Sequence, residues 1–151
     1  MTLTFLCSTH RDWVYFHPQE ALANLDEAQI KGELLMQRDK WQEATTFLGC
    51  AFETTEILME LQGAEKSFLL SRLTSLAICL AVSFKKLDAI KHQHIVLHQA
   101  EQKLQAVANT SLGNKSRLAF VQECILAIRN YQQKVSRSQQ TSNTMDSALL
   151  H

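Results

Sequence analysis

The only histidine cluster in the chain is His92, His94 and His98. On a helix, His94 and His98 stand i and i+4 on one face with Glu101 three residues further on, and two imidazoles and a carboxylate so placed suit one divalent metal ion. The stretch lacks the H-E-x-x-H arrangement that puts a general base beside a metal. A polar flank beside an apolar helix stripe accounts for the three histidines better, and no metal ligand is assigned. The carboxylates Glu53, Glu56 and Glu60, at i, i+3 and i+7, read as a solvated acidic face, on which Glu56→Ala would change stability by no more than about 0.5 kcal/mol. Lys85, Lys86 and Lys91 read as its basic counterpart. Cys7, Cys50, Cys79 and Cys124 lie far apart with no C-x-x-C pair, so they suit small reduced core residues rather than a zinc or redox site. No nucleophile motif, glycine-rich phosphate loop or paired-carboxylate constellation appears. The expectation is a protein without catalytic residues or cofactor; the alternative is a small metal-binding helical protein or metal-dependent enzyme using His94, His98 and Glu101.

The elements that must position these groups follow from composition. The chain has 151 residues, 46% apolar and 20% charged, with four glycines and one proline. So few turn formers argue against a many-stranded sandwich or barrel and for a few long helices in one domain. Residues 1 to 17 form an arm unlike the rest, rich in large rings (Phe5, Trp13, Tyr15, Phe16) and expected to pack on the helical body, with a short extended piece in it as the one candidate for sheet structure. Pro18 suits the first position of a helix running to about Gln37. Further helices are expected at about Trp41 to Gly63, Ala64 to Phe84, Leu87 to Ala108 and Ser116 to Val135. The third is apolar on most sides and so should sit centrally. The last is polar on one face, as a terminal capping helix should be. Ser136 to His151 is polar enough to read as a flexible tail, with Met145 to Leu150 a lesser candidate for a short helix docked on a neighbouring molecule.

The net charge is zero, but residues 1 to 62 carry four Lys/Arg against ten Asp/Glu and the remainder eleven against five. Neither half is extreme enough for nucleic-acid binding, and the most apolar stretch, Leu73 to Phe84, is shorter than the ~20 residues that span a bilayer. The expected setting is the cytoplasm, with neither nucleic acid nor membrane as partner. Apolar residues in the arm, with Ile30, Leu34 and Ile95 off the main stripes, favour a homodimer.

Small residues repeat along the helices. Gly32 lies 12 residues before Ala44 and 19 before Ala51, while Ala77 lies 12 before Ala89 and 19 before Val96, an offset of 45 between halves. Helices approach closely only where a side chain is nearly absent. The stretches GELLMQRDKWQEATTFLGCAF and AICLAVSFKKLDAIKHQHIVL resemble the tetratricopeptide repeat as it occurs in small bacterial proteins. The resemblance covers about Asp26 to Ala108, with a longer period than the roughly 34 residues of the standard repeat and no closing proline. It implies an all-α fold of about five antiparallel helices in a right-handed superhelix with a C-terminal capping helix. It also implies a concave groove for a protein or peptide partner, lined by Asp26, Gln29, Glu33, Met36 and Gln37 from the first unit and Ser71, Thr74, Ile78, Ala81 and Val82 from the second. The groove lacks the lysine and asparagine of the family's carboxylate clamp, so a basic or amphipathic helical segment suits it better than an acidic C-terminal peptide.

Overall fold

The computed structural model describes residues 1 to 149, with side chains described through Thr141. Six helices follow one another: α1 (Ser8–Phe16), α2 (Pro18–Gln37), α3 (Trp41–Gln62), α4 (Ser67–Lys86), α5 (Ile90–Asn109) and α6 (Lys115–Leu149). No strand occurs among the described residues. The helix beyond the expected five is α1. Its nine residues contain no glycine or proline, and the Cys7 sulfur accepts the His10 N–H to cap its first turn. Only His17 separates it from Pro18, which opens α2 at the position where a missing N–H costs nothing. Gly63, at φ 115°, ends α3 in a conformation that side-chain-bearing residues avoid. α6 continues past Val135 to Leu149. The side chains of Met145 to Leu150, considered above for docking on a neighbour, lie outside the described residues.

Each helix packs against the next in the chain, and α4 also packs on α6. Covered by α3, α5 and α6, α4 is the centre of the molecule: Leu69, Leu70, Leu73, Leu76, Ala77, Leu80 and Ala81 are all fully buried. Among the described residues it is the one helix long and apolar enough to cross a membrane, and most of it is buried inside the protein. The expected close approach at Gly32 is present, since a Cβ there would sit 2.6 Å from the side chain of Leu48 on α3. Ala44, Leu48, Ala51 and Phe52 complete that seam without solvent exposure. Ile95, expected off the stripe, packs against the core, whereas Ile30 and Leu34 are exposed.

The internal repeat has a different phase from the sequence expectation. The α2–α3 and α4–α5 turns are built alike: Asp39 and Asp88 both adopt φ 59°, the αL conformation that aspartate tolerates better than most residues. Each is followed by a residue whose N–H returns to the preceding helix, Lys40 to the Leu35 carbonyl at 2.9 Å and Ala89 to the Phe84 carbonyl at 2.8 Å. These turns lie 49 residues apart, not 45. The counterparts of Gly32, Ala44 and Ala51 are therefore Ala81, Gln93 and Ala100, all fully buried. The 45-residue register arose because α4 carries alanines at both 77 and 81. Gln93 fits the tight position by donating its amide to the Ala81 carbonyl at 3.0 Å across the seam. Its Oε1 is buried without a partner.

Candidate interaction site

The acidic column on α3 is not a solvated face. Glu53 is 6% exposed and Glu56 8%, because residues 1 to 16 lie across it. Burial leaves a carboxylate stable only when its oxygens are satisfied, and the N-terminal segment supplies donors. Glu53 Oε1 accepts the Phe5 N–H at 2.8 Å and the Leu6 N–H at 3.4 Å, while Oε2 takes Arg11 Nε at 3.0 Å. A second Arg11 nitrogen donates to the Leu6 carbonyl at 3.0 Å, so one guanidinium ties the carboxylate to the chain that covers it. Glu60, at the exposed end of the column, accepts the Tyr15 hydroxyl at 2.9 Å.

Glu56 belongs to a different set. Gln99 on α5 donates its amide to both Glu56 oxygens at 3.0 and 3.1 Å, and Lys103 Nζ lies 3.6 Å from Oε2. Burial is the main influence on this carboxyl and raises its pKa above the usual glutamate range, opposed by Gln99 and Lys103. The Gln99 side chain also grips the N-terminal segment: its Oε1 accepts the Leu3 N–H at 3.0 Å and its Nε2 donates to the Leu3 carbonyl at 3.5 Å. Leu3 is buried in the main core, and Leu6 packs with Val14, Ala21 and Ile57 in a smaller cluster. Phe5 crosses α3 at Gly49, where a Cβ would come within 2.1 Å of its ring. Residues 3 to 6 are thus held by their main chain, through side chains of α3 and α5.

The face expected from the repeat resemblance is built differently in its two halves. On α2, Asp26 pairs with Arg72 of α4, Gln29 accepts from Arg72 at 2.8 Å and donates to Ser75 at 3.2 Å, and Gln29 also donates to Glu33 at 2.9 Å. The two helices therefore share one polar surface. Asp26, Gln37 and Ser71 are exposed on it, and Glu33, Met36, Ile78 and Val82 are half-buried. Thr74, 8% exposed, donates to its own helix at the Leu70 carbonyl, and Ala81 is fully buried, so neither meets solvent. Neither residue is on the surface because α4 is covered on three sides, which a two-unit reading of the sequence does not reveal.

His92, His94 and His98 are exposed along α5, and Glu101 is engaged by Arg129 of α6 at 2.8 Å. Among the described residues no group of three histidine, cysteine or acidic side chains is placed to hold a metal ion. All four cysteines are free. Burial raises the thiol pKa of Cys50, Cys79 and Cys124, which keeps them in the protonated form. One sequence signal did point to the N-terminal contact: Gln99 lies between Val96, Leu97 and Ala100 in an otherwise apolar stripe. A polar residue there needs a buried partner. Comparison with known protein families, curated proteins and solved structures yields no match to this chain.

Proposed function

We propose that the chain is a non-enzymatic, cytoplasmic interaction module of tetratricopeptide-like build, a right-handed superhelix of antiparallel pairs closed by α6. In this reading it takes a protein or peptide partner along the face shared by α2 and α4, without cofactor or metal. The observation that carries the proposal is the cross-helix network of Arg72 with Asp26 and Gln29, joined by Ser75, which makes one continuous surface of two helices. Asp26 and Glu33 flank the partly accessible apolar groups of Met36, Ile78 and Val82, a pattern that suits a basic amphipathic helix. Glu33→Lys and Ile78→Glu test it. Each variant is used for affinity capture from native cytosol after its helix content is checked by circular dichroism. Loss of the same specific partner in both supports the face, and retention of every partner by both overturns it. Homodimerisation is part of the same proposal. Light scattering at 0.1 M and 1 M salt, where the Debye length falls from about 10 Å to about 3 Å, reads it, and a monomer in both buffers removes it.

A further inference from the structure

A second surface, distinct from the α2–α4 face, carries its own ligand chemistry. We propose that the furrow where α3 and α5 hold residues 3 to 6 is a peptide-recognition site, and that a partner segment, apolar at the positions that Leu3, Phe5 and Leu6 occupy, displaces the chain's own N-terminal residues from it.

The contacts that hold residues 3 to 6 are made largely to backbone. Gln99 both accepts from and donates to Leu3, and Glu53 accepts from Phe5 and Leu6. Leu3 presents its N–H and carbonyl to one side, and the chain bends at Leu6 so that two successive N–H groups reach one Glu53 oxygen, so the furrow recognises a backbone shape before it recognises a sequence. Both reading side chains are themselves buried, Gln99 at 7% exposure and Glu53 at 6%. Their positions are fixed on helices rather than loops, which is how a preorganised site is built. Selectivity comes from the pockets. Leu3 enters the core, and the Phe5 ring occupies the space that a side chain at Gly49 would fill.

A partner displaces the resident segment only if it gains contacts that the resident lacks. The furrow provides them. One helical turn along α5 from Gln99, beside the Lys103–Glu56 pair, an open cavity of about 280 Å³ is lined by Met59, Ala64 and Val107 and by no residue of the N-terminal segment. A second cavity of about 290 Å³ lies under α1, lined by Leu6, Trp13, Leu25 and Cys50, so the arm rests on imperfectly filled ground. A partner whose side chains also reach the first cavity gains contacts there that the resident segment does not make.

The experiment uses the full-length chain carrying Leu3→Asp and Phe5→Ala, which weakens the resident segment. The probe is a fluorescent peptide of residues 1 to 8, read by anisotropy. The expected result is binding at least about tenfold tighter than to the unaltered chain, lost by about tenfold when Gln99→Ala is added, as removal of one buried double contact should give. In parallel, hydrogen exchange on the unaltered protein reports opening directly. Leu3 and Phe5 amides should exchange while those of Phe52 and Leu80 stay protected, and excess isotopically distinct peptide should speed exchange at the first two only. Absence of peptide binding by a weakened chain of native helicity, indifference to Gln99→Ala, or exchange of Leu3 and Phe5 only with global unfolding would each overturn the proposal. So would a dimer that swaps residues 1 to 16 between copies yet takes up no free peptide. Unaltered behaviour of Glu33→Lys in the same assay separates this furrow from the α2–α4 face.

Discussion

Toward α2, helix α3 presents Leu48 to the missing side chain of Gly32 and lines the seam with Ala44, Ala51 and Phe52. Toward the N-terminal segment the same helix presents Glu53 and Glu60, which capture two backbone N–H groups, a guanidinium and a tyrosine hydroxyl. The first side is held by apolar area and close packing, which are non-directional and grow with the surface removed from water. The second is held by directional bonds whose net contribution is small but whose loss leaves buried groups unpaired. One helix thus carries a permanent joint and a conditional one.

Substitutions separate the two. Leu80→Ala, at a fully buried site on α4, should have the largest effect, about 2 to 5 kcal/mol in urea unfolding, with the local exchange of the Leu3 and Phe5 amides unchanged. Glu53→Ala should cost about 1 to 3 kcal/mol, because the Phe5 and Leu6 amides and Arg11 lose their acceptor. It should also release the N-terminal segment to protease while the helical core keeps its circular dichroism. If Glu53→Ala leaves both stability and protease resistance unchanged, the polar joint contributes nothing and the contrast fails.

Glu56 sharpens the comparison through pH. Its pKa is raised in the folded protein, chiefly by burial, so the folded state binds its proton more tightly than the unfolded chain does. The stabilising contribution of the protonated form is then fully present below the ordinary glutamate pKa and lost as pH rises through the folded value. Wild-type stability should therefore decline with rising pH, relative to Glu56→Gln, from the ordinary glutamate value of 4.5 upward. Parallel curves for the two proteins would show that burial of Glu56 carries no such linkage. The smallest effect belongs to Glu60→Ala, at an exposed residue whose one described bond goes to Tyr15. Its thermal midpoint should imply a change within about 0.5 kcal/mol, the value that the sequence alone suggested for Glu56.

The apolar joint was legible because burial leaves a periodic trace. Pro18, Gly63, the stripe of α5 and the all-round apolar character of α4 located four helices and the central one among them. The polar joint left no such trace: Glu53, Glu56 and Glu60 at helical spacing look the same whether water or a distant segment covers them. What distinguishes them is Phe5 and Arg11, some forty to fifty residues away in the chain, and periodicity is blind to that separation. The repeat phase was misjudged for a related reason, since alanines at both 77 and 81 satisfy the small-residue pattern, and the turn at Asp88 that decides between them carries no glycine or proline to announce it. In the partner-binding face, exposure of the α2 residues followed from their polarity. Burial of Thr74, which bonds Cys124 of α6, depended on a helix that no pattern within the repeat encodes, and burial of Ala81 followed from the α4–α5 seam that the 45-residue register misplaced.

The matched turns at Asp39 and Asp88 also set the phase for rebuilding the molecule. Helix starts at Pro18 and Ser67, and again at Trp41 and Ile90, keep the same 49-residue interval as the two aspartates. An array lengthened by splicing a further copy of residues 18 to 66 between Lys66 and Ser67 would bring each inserted side chain back to its own angular position around the stack. A splice made at the 45-residue spacing is four residues short, about 400° of helix, and would leave the following side chains about 40° out of phase. The two aspartates therefore act as the rulings on which such an extension would be measured.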